Sequence, residues 1–144
     1  MTGYSSALTE GLAELAAGAG LGTWRTSGVY AAGETGITVG VVPDVPDRII
    51  CLTPYPVEDT DLTDAVTGMQ VRLRAGRDPR HVQDAADALF DLLHGREHYQ
   101  LGGVHVALSW RQSQAWIGQD EHGRMELTAN YYMRTTRAAT YANE

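Results

Sequence analysis

The residues from Gly68 to Gly95 restrict this chain most. Within them the spacing of apolar side chains changes from every second residue to about every 3.6 residues across one short loop. Met69, Val71 and Leu73 alternate with Gln70, Arg72 and Arg74, the pattern of a β-strand with one apolar face. Asp78-Pro79 then opens a helix, with a carboxylate at the N-cap and a proline at the first helical position, where its missing N–H is not needed. Val82, Ala85, Ala86, Leu89, Phe90 and Leu93 line one stripe of that helix, and Gly95 ends it. Both elements have an apolar face to bury, so the fold must lay the helix on the sheet that contains the strand.

The rest of the chain is read around this pair. Residues 5–17 predict a first helix, with Leu8, Leu12, Leu15 and Ala16 in a narrow stripe and Ser5 or Ser6 as its cap. Gly18, Gly20 and Gly22 end it, and Trp24 and Tyr30 fall in a turn-rich stretch. Residues 36–42 alternate as a strand, and Pro43 and Pro46 bracket a short acidic turn. Ile49-Ile50-Cys51-Leu52 is apolar without alternation, which predicts a strand over 48–53 covered on both faces and central in its sheet. Pro54-Tyr55-Pro56 is expected to stop it, and Glu58 to Asp64 to form a solvated acidic loop. After Gly95 a loop leads to Gly102-Gly103, and a strand follows from Val104 to Trp110 or beyond. Asp120-Glu121-His122-Gly123 has hairpin-turn chemistry. In the last strand Met125, Leu127, Ala129, Tyr131 and Met133 oppose Glu126, Thr128, Asn130, Tyr132 and Arg134. The segment from Arg137 to Glu144 is small and polar and is expected to fray. Together these elements predict a single α+β domain over residues 1–144, a mostly antiparallel sheet of about four to five strands with two main helices on one face.

Composition narrows the function. With 144 residues the chain can bury a real core, and no apolar run approaches a membrane span. The N-terminus lacks the basic start and apolar stretch of a secretory signal, so the protein is expected to stay inside the cell that makes it. The single cysteine, Cys51, sits in an apolar run and reads as a buried, inert thiol. A net charge of −7 argues against a nucleic-acid groove, although not against a surface that DNA slides past. All eleven basic residues are arginine, a bias that fits a GC-rich genome and also suits protein interfaces.

Signals of chemistry are weak. His94-Gly95-Arg96-Glu97-His98 matches the H-x-x-E-H pattern of one class of zinc peptidases, leaving a small metal-dependent hydrolase using His94, Glu97 and His98 as a distant alternative. That chemistry needs both histidines on one continuous helix, and Gly95 falls inside the motif where the apolar stripe ends. Gly18-Ala19-Gly20-Leu21-Gly22 follows a helix rather than a strand, so it reads as a turn and not a phosphate loop. Asp59, Asp61 and Asp64 lack the spacing and turn glycine of a calcium loop. No serine or cysteine stands in a nucleophile setting. The expectation is no catalytic residue, no cofactor and no metal.

Several pieces nevertheless stand in a characteristic order. They are Gly22-Thr23-Trp24, Val42-Pro43 with Pro46-Asp47, and Leu52-Thr53-Pro54-Tyr55-Pro56. Met69 to Arg74 follows with Arg77-Asp78-Pro79, then Leu92-Leu93-His94-Gly95. Gly118-Gln119-Asp120-Glu121 with Gly123-Arg124, and finally Asn130-Tyr131, complete the order. Over nearly the whole chain this pattern resembles the tail terminator proteins of long-tailed, non-contractile bacteriophages, often labelled phage minor capsid proteins. The abundance of Arg, Ala and Gly suggests a phage of a high-GC actinobacterial host.

The resemblance implies a structural virion protein and not an enzyme. Such proteins cap the tail tube at its final length as a ring, typically hexameric, and form the tail-side surface for head-tail joining at the neck. The implied fold is a small α+β domain related to tail-tube proteins. The implied partners are other copies of the chain, the major tail tube protein and the head-completion or neck proteins. DNA passes through the lumen without specific binding, and no membrane is involved. The implied location is the tail-neck junction of the virion, after assembly in the host cytoplasm. The nearest alternative is a head-completion or stopper protein of the same neck. A ring closed by rotation needs two different faces on each subunit. Gln70, Arg72, Arg74 and Arg77 lie on or beside the polar face of one strand, and Glu126, Asn130, Tyr132 and Arg134 on that of another. These eight are the expected subunit or partner interface, since Arg and Tyr are enriched at contact surfaces. Glu58, Asp59, Asp61 and Asp64 are expected to face the lumen, where carboxylates would repel phosphate. Trp24, Trp110 and Trp116 are expected at core edges.

Overall fold

The elements run α1 (Tyr4–Gly18), β1 (Thr23–Trp24), β2 (Thr35–Val39), β3 (Arg48–Asp59), β4 (Asp64–Arg74), α2 (Pro79–Leu93), β5 (Arg96–Leu101), β6 (Val104–Gln119) and β7 (Met125–Thr136). This is the computed structural model, which describes residues 2–143. One sheet holds all the strands in the order β1-β2-β3-β4-β7-β6-β5. The β1–β2 and β2–β3 pairs are parallel and the others antiparallel.

The strand and helix between Gly68 and Gly95 form as their sequence requires. Asp78 caps α2 by accepting the Arg80 N–H at 3.0 Å, and Pro79 takes the first turn. At the other end the His94 N–H donates to the Phe90 carbonyl at 2.9 Å, and Gly95 turns the chain with a φ of 76°. Val82, Leu89 and Leu93 of α2 and Leu8 and Leu12 of α1 share one apolar cluster with Ile50, Leu52, Met69, Val71, Leu73, Leu127, Ala129, Tyr131 and Met133 of the sheet. Both helices therefore cover the same face, here called inner. α1 lies so close to the β5–β6 turn that a Cβ on Gly11 would overlap the Leu101–Gly102 backbone. A Cβ on Gly102, whose φ is 57°, would overlap the Ala7 carbonyl. Ile49 and Cys51 point the other way and are also buried, at 1% and 3% exposure, so this part of β3 is covered on both faces as its sequence predicts.

The sheet is larger than expected, with seven strands rather than four to five. Pro54-Tyr55-Pro56 does not stop β3. β2 ends opposite Leu52, and the Gly40 N–H closes on the Leu52 carbonyl at 3.0 Å, so from Thr53 onward β3 is a margin of the sheet. Backbone groups of alternate residues point the same way along a strand. Pro54 and Pro56 thus share the outward direction of Leu52 and cost no ladder bond. Glu58, Asp59 and Asp64 accordingly sit on strand ends, and residues 60–63 alone make the connection. β5 replaces the loop expected after Gly95; only its Leu101 is fully buried, so its alternation is faint. Neither Ser5 nor Ser6 caps α1, which starts at Tyr4 with Gly3 as its N-cap and no side-chain cap. Of the segment expected to fray, residues 137–143 are docked by main-chain bonds, and Glu144 lies outside the described residues. Arg137 N–H donates to Thr63 O at 2.7 Å, Thr63 N–H to Asn143 O at 3.0 Å and Asn143 N–H to Asp61 O at 2.7 Å.

Candidate assembly surface

The two polar strips expected to lie on different faces of the subunit lie on one. β4 and β7 are direct neighbours, with Gln70 opposite Asn130, Arg72 opposite Thr128 and Arg74 opposite Glu126. Their polar residues form a single outer face, opposite the helices, because facing residues in a ladder point to the same side. That register joins the two strips into one continuous surface.

At the centre of this face Tyr55 of β3 lies flat over Gly68, where any Cβ would overlap its ring. The Tyr55 hydroxyl donates to Asn130 Oδ1 at 3.0 Å, and Asn130 Nδ2 donates to Ser113 Oγ at 3.2 Å, so one amide ties β3, β7 and β6 together. Tyr132 meets Trp110 edge-on with ring centroids 5.9 Å apart, and the Arg134 guanidinium stands 5.9 Å from the Trp110 ring. The isolated glycine just before Met69 was the sequence signal for this close approach. Tyr55 itself was hidden between two prolines that read as a strand end.

Toward the β6–β7 turn the face becomes ionic. Arg72 forms a forked pair with Glu126, at 3.2 and 3.1 Å. Arg74 is only 5% exposed and donates to the carbonyls of Pro43, Asp44, Pro46 and Asp47 at 2.7 to 3.2 Å. Desolvation, with Arg124 nearby, lowers its pKa from the usual arginine value. Arg124 reaches Asp120 at 2.7 Å, Asp44 at 2.9 Å and Asp47 at 3.2 Å, and so joins the β2–β3 loop to the β6–β7 turn. Burial by itself would raise the Asp120 carboxyl. The Arg124 N–H, the Arg124 guanidinium and the His122 N–H outweigh it and hold Asp120 at about 2. Arg74 and Glu126 are thus occupied within the chain and support the face from below. Gln70, Arg72, Arg77 and Arg134 are exposed on it or beside it, and Asn130 and Tyr132 are half-buried.

Glu58, Asp59, Asp61 and Asp64 are all exposed, and they gather at the tip of the β3–β4 hairpin, at the opposite end of the sheet from the Arg124 cluster. Trp24 packs against the core cluster, whereas Trp116 and Ile117 are each 49% exposed on β6. There the strand has no partner on its outer side, because β5 pairs only as far as Ser109.

The histidine motif does not assemble. α2 ends at Leu93, leaving His94 as its cap and Glu97 and His98 on β5, so the continuous helix that the peptidase pattern needs is absent. His94 Nδ1 instead accepts the Arg111 N–H at 3.1 Å, and its ring stacks on Phe90. Among the described residues, Asp44, Glu121 and His122 bring ligand atoms within 4.8 Å of one another. All three are exposed, and Asp44 Oδ1 already accepts from Arg124, so a cation there would compete with a guanidinium. No helix among the described residues is long and apolar enough to cross a membrane.

A family model described as "Bacteriophage tail terminator protein" matches residues 17–137. A search of curated proteins finds no match. Among solved structures, a chain of the "Virion of native gene transfer agent (GTA) particle" is similar at 16% identity with a TM-score of 0.60, covering 92% of this chain and 94% of that one. At such identity the likeness speaks for the fold alone.

Proposed function

The chain belongs to the bacteriophage tail terminator family and is a structural virion protein, and on that premise we propose that it caps the tail tube at its final length as a closed ring, typically hexameric, and presents the tail-side surface for head-tail joining. The family match over residues 17–137 carries the proposal.

Two physical observations support it. First, the sheet has unlike margins. Along the free half of β3 the outward positions include Pro54 and Pro56, which offer no N–H, while the free half of β6 contains no proline and exposes Trp116 and Ile117. Contacts that close by rotation join two different surfaces, and unlike margins suit them. Second, the outer face displays Gln70, Arg72, Arg77, Asn130, Tyr132 and Arg134 over the buried Arg74 and Glu126, a mixture typical of contact surfaces. In the proposed ring these residues meet a neighbour, the tube or the neck. Glu58, Asp59, Asp61 and Asp64 border the DNA path, where their charge keeps phosphate from sticking. Arginine as the sole basic residue agrees with a phage of a high-GC host.

Deleting the gene from the phage and imaging the lysate tests the proposal. Overlong tails or polytubes beside unattached filled heads are expected. Tails of normal length with leaking heads would instead identify a stopper. Neutralising the four hairpin acids to Asn and Gln is expected to raise DNA affinity and slow ejection; no change in either would remove them from the DNA path.

A further inference from the structure

The segment after β7 is held in an unusual way. Its three inter-segment main-chain bonds all end on residues 61–63, and Leu62 pairs with Asn143 as a parallel bridge. Side chains add little. Ala138, Ala139, Thr140 and Tyr141 are exposed, Tyr141 at 92%, and Arg137 over the Tyr4 ring at 4.3 Å is the main anchor. Three main-chain bonds are a small return for ordering residues 137–143, so the segment sits on the hairpin tip with little margin and can leave it.

The tip, in turn, offers main-chain groups that match the segment. Within residues 60–63 the Thr63 N–H, the Thr63 carbonyl and the Asp61 carbonyl find their partners on the segment. Asp61 and Leu62 are exposed, so water can serve these groups when the segment leaves, and another strand of the same pattern can take its place. The occupant it fits is on view, and every copy of the chain carries one. We propose that residues 137–143 are an exchangeable arm: in the ring they leave their own hairpin tip and dock on the tip of the adjacent copy, making between subunits the bonds they make here within one. This rests on the ring proposed above. Exchange of an identical element replaces each lost bond with its equal, so it needs no new chemistry. Seven extended residues reach about 23–25 Å, enough to cross to an abutting copy. Once neighbours are held side by side, the high local concentration of tips favours the crossing.

The test uses the full chain with Leu62→Cys and Asn143→Cys; Cys51 is buried and can stay. Bridge partners lie within disulfide reach. Rings are first isolated by size with light scattering, then oxidised and run on a non-reducing denaturing gel. The free chain is expected to close an internal bridge and run as a single chain. The ring is expected to give a ladder of linked chains reaching the full ring. Rings that yield only internally bridged single chains overturn the exchange and leave the ring reading intact. Failure of the unsubstituted chain to form any ring, with or without tube ends, overturns both. A second variant, the chain ended at Thr136, should keep its unfolding midpoint within a few degrees and lose ring population at least tenfold. Undiminished rings from it would also overturn the exchange.

Discussion

At the scale of single residues, the outer face depends on groups that read as ordinary in the sequence. Gly68 gives Tyr55 its seat, and nothing larger fits. Gly68→Ala is expected to cost about 1–3 kcal/mol in urea unfolding, and about 1 kcal/mol or less when Tyr55→Ala removes the ring first. Equal costs in both backgrounds would show that the ring is not the cause. Asp120 makes a pH prediction. Its carboxyl is held at about 2 in the folded chain, below its usual value, so it stabilises the fold above about pH 4 and loses that contribution as pH falls toward its folded value. Asp120→Asn should therefore be less stable at neutral pH, and its urea midpoint should fall less steeply from about pH 5 to about pH 2.5. Parallel curves would dismiss the Arg124 cluster as a source of acid sensitivity. Arg124 could be singled out in the sequence only as one arginine among eleven. Its partners Asp44 and Asp47 lie far away in the chain, and no periodic pattern links them.

At the scale of elements, α1 and β5 cross without side chains between them. A glycine to alanine change inside a helix is ordinarily favourable by about 1 kcal/mol. Gly11→Ala should reverse that sign and lose about 2 kcal/mol or more, because its Cβ would meet main chain rather than a movable side chain. A raised melting temperature would refute the crossing. The same scale explains what the sequence could and could not reveal. α2 and β7 were legible because each has an apolar face on the core and a polar face away from it, so burial writes a period into the residues. β3 was legible only to Leu52, where it changes from an inner strand to a margin and prolines become tolerable. β5 was illegible because Arg96-Glu97-His98 bury little and β5 pairs with a single strand. The docking of residues 137–143 is made of main-chain bonds, which leave no mark on side-chain identity.

At the scale of the whole molecule, position rather than chemistry distinguishes the surfaces. The apolar cluster closes one side of the sheet, the acids collect at one end, and the two margins differ in whether they can donate hydrogen bonds. Trp116→Gln with Ile117→Lys places a charge on the open half of β6, a common protection against strand pairing. Both side chains are half buried, so the monomer should lose no more than about 2–3 kcal/mol and stay folded. Its rings should become at least about tenfold rarer in light scattering, equivalent to about 1.4 kcal/mol per closed ring. Intact rings would move the contact elsewhere. The placement of Cys51 has its own consequence. The chain has no lysine, and its one sulfhydryl lies buried on the outer side of the sheet at 3% exposure. Between copies of this chain neither a lysine isopeptide nor a disulfide weld is open, so in the proposed ring the copies hold one another by non-covalent contacts alone. In the ring proposed above, a wrongly seated copy could therefore let go and try again, until the circle was complete and no member had a free side from which to depart.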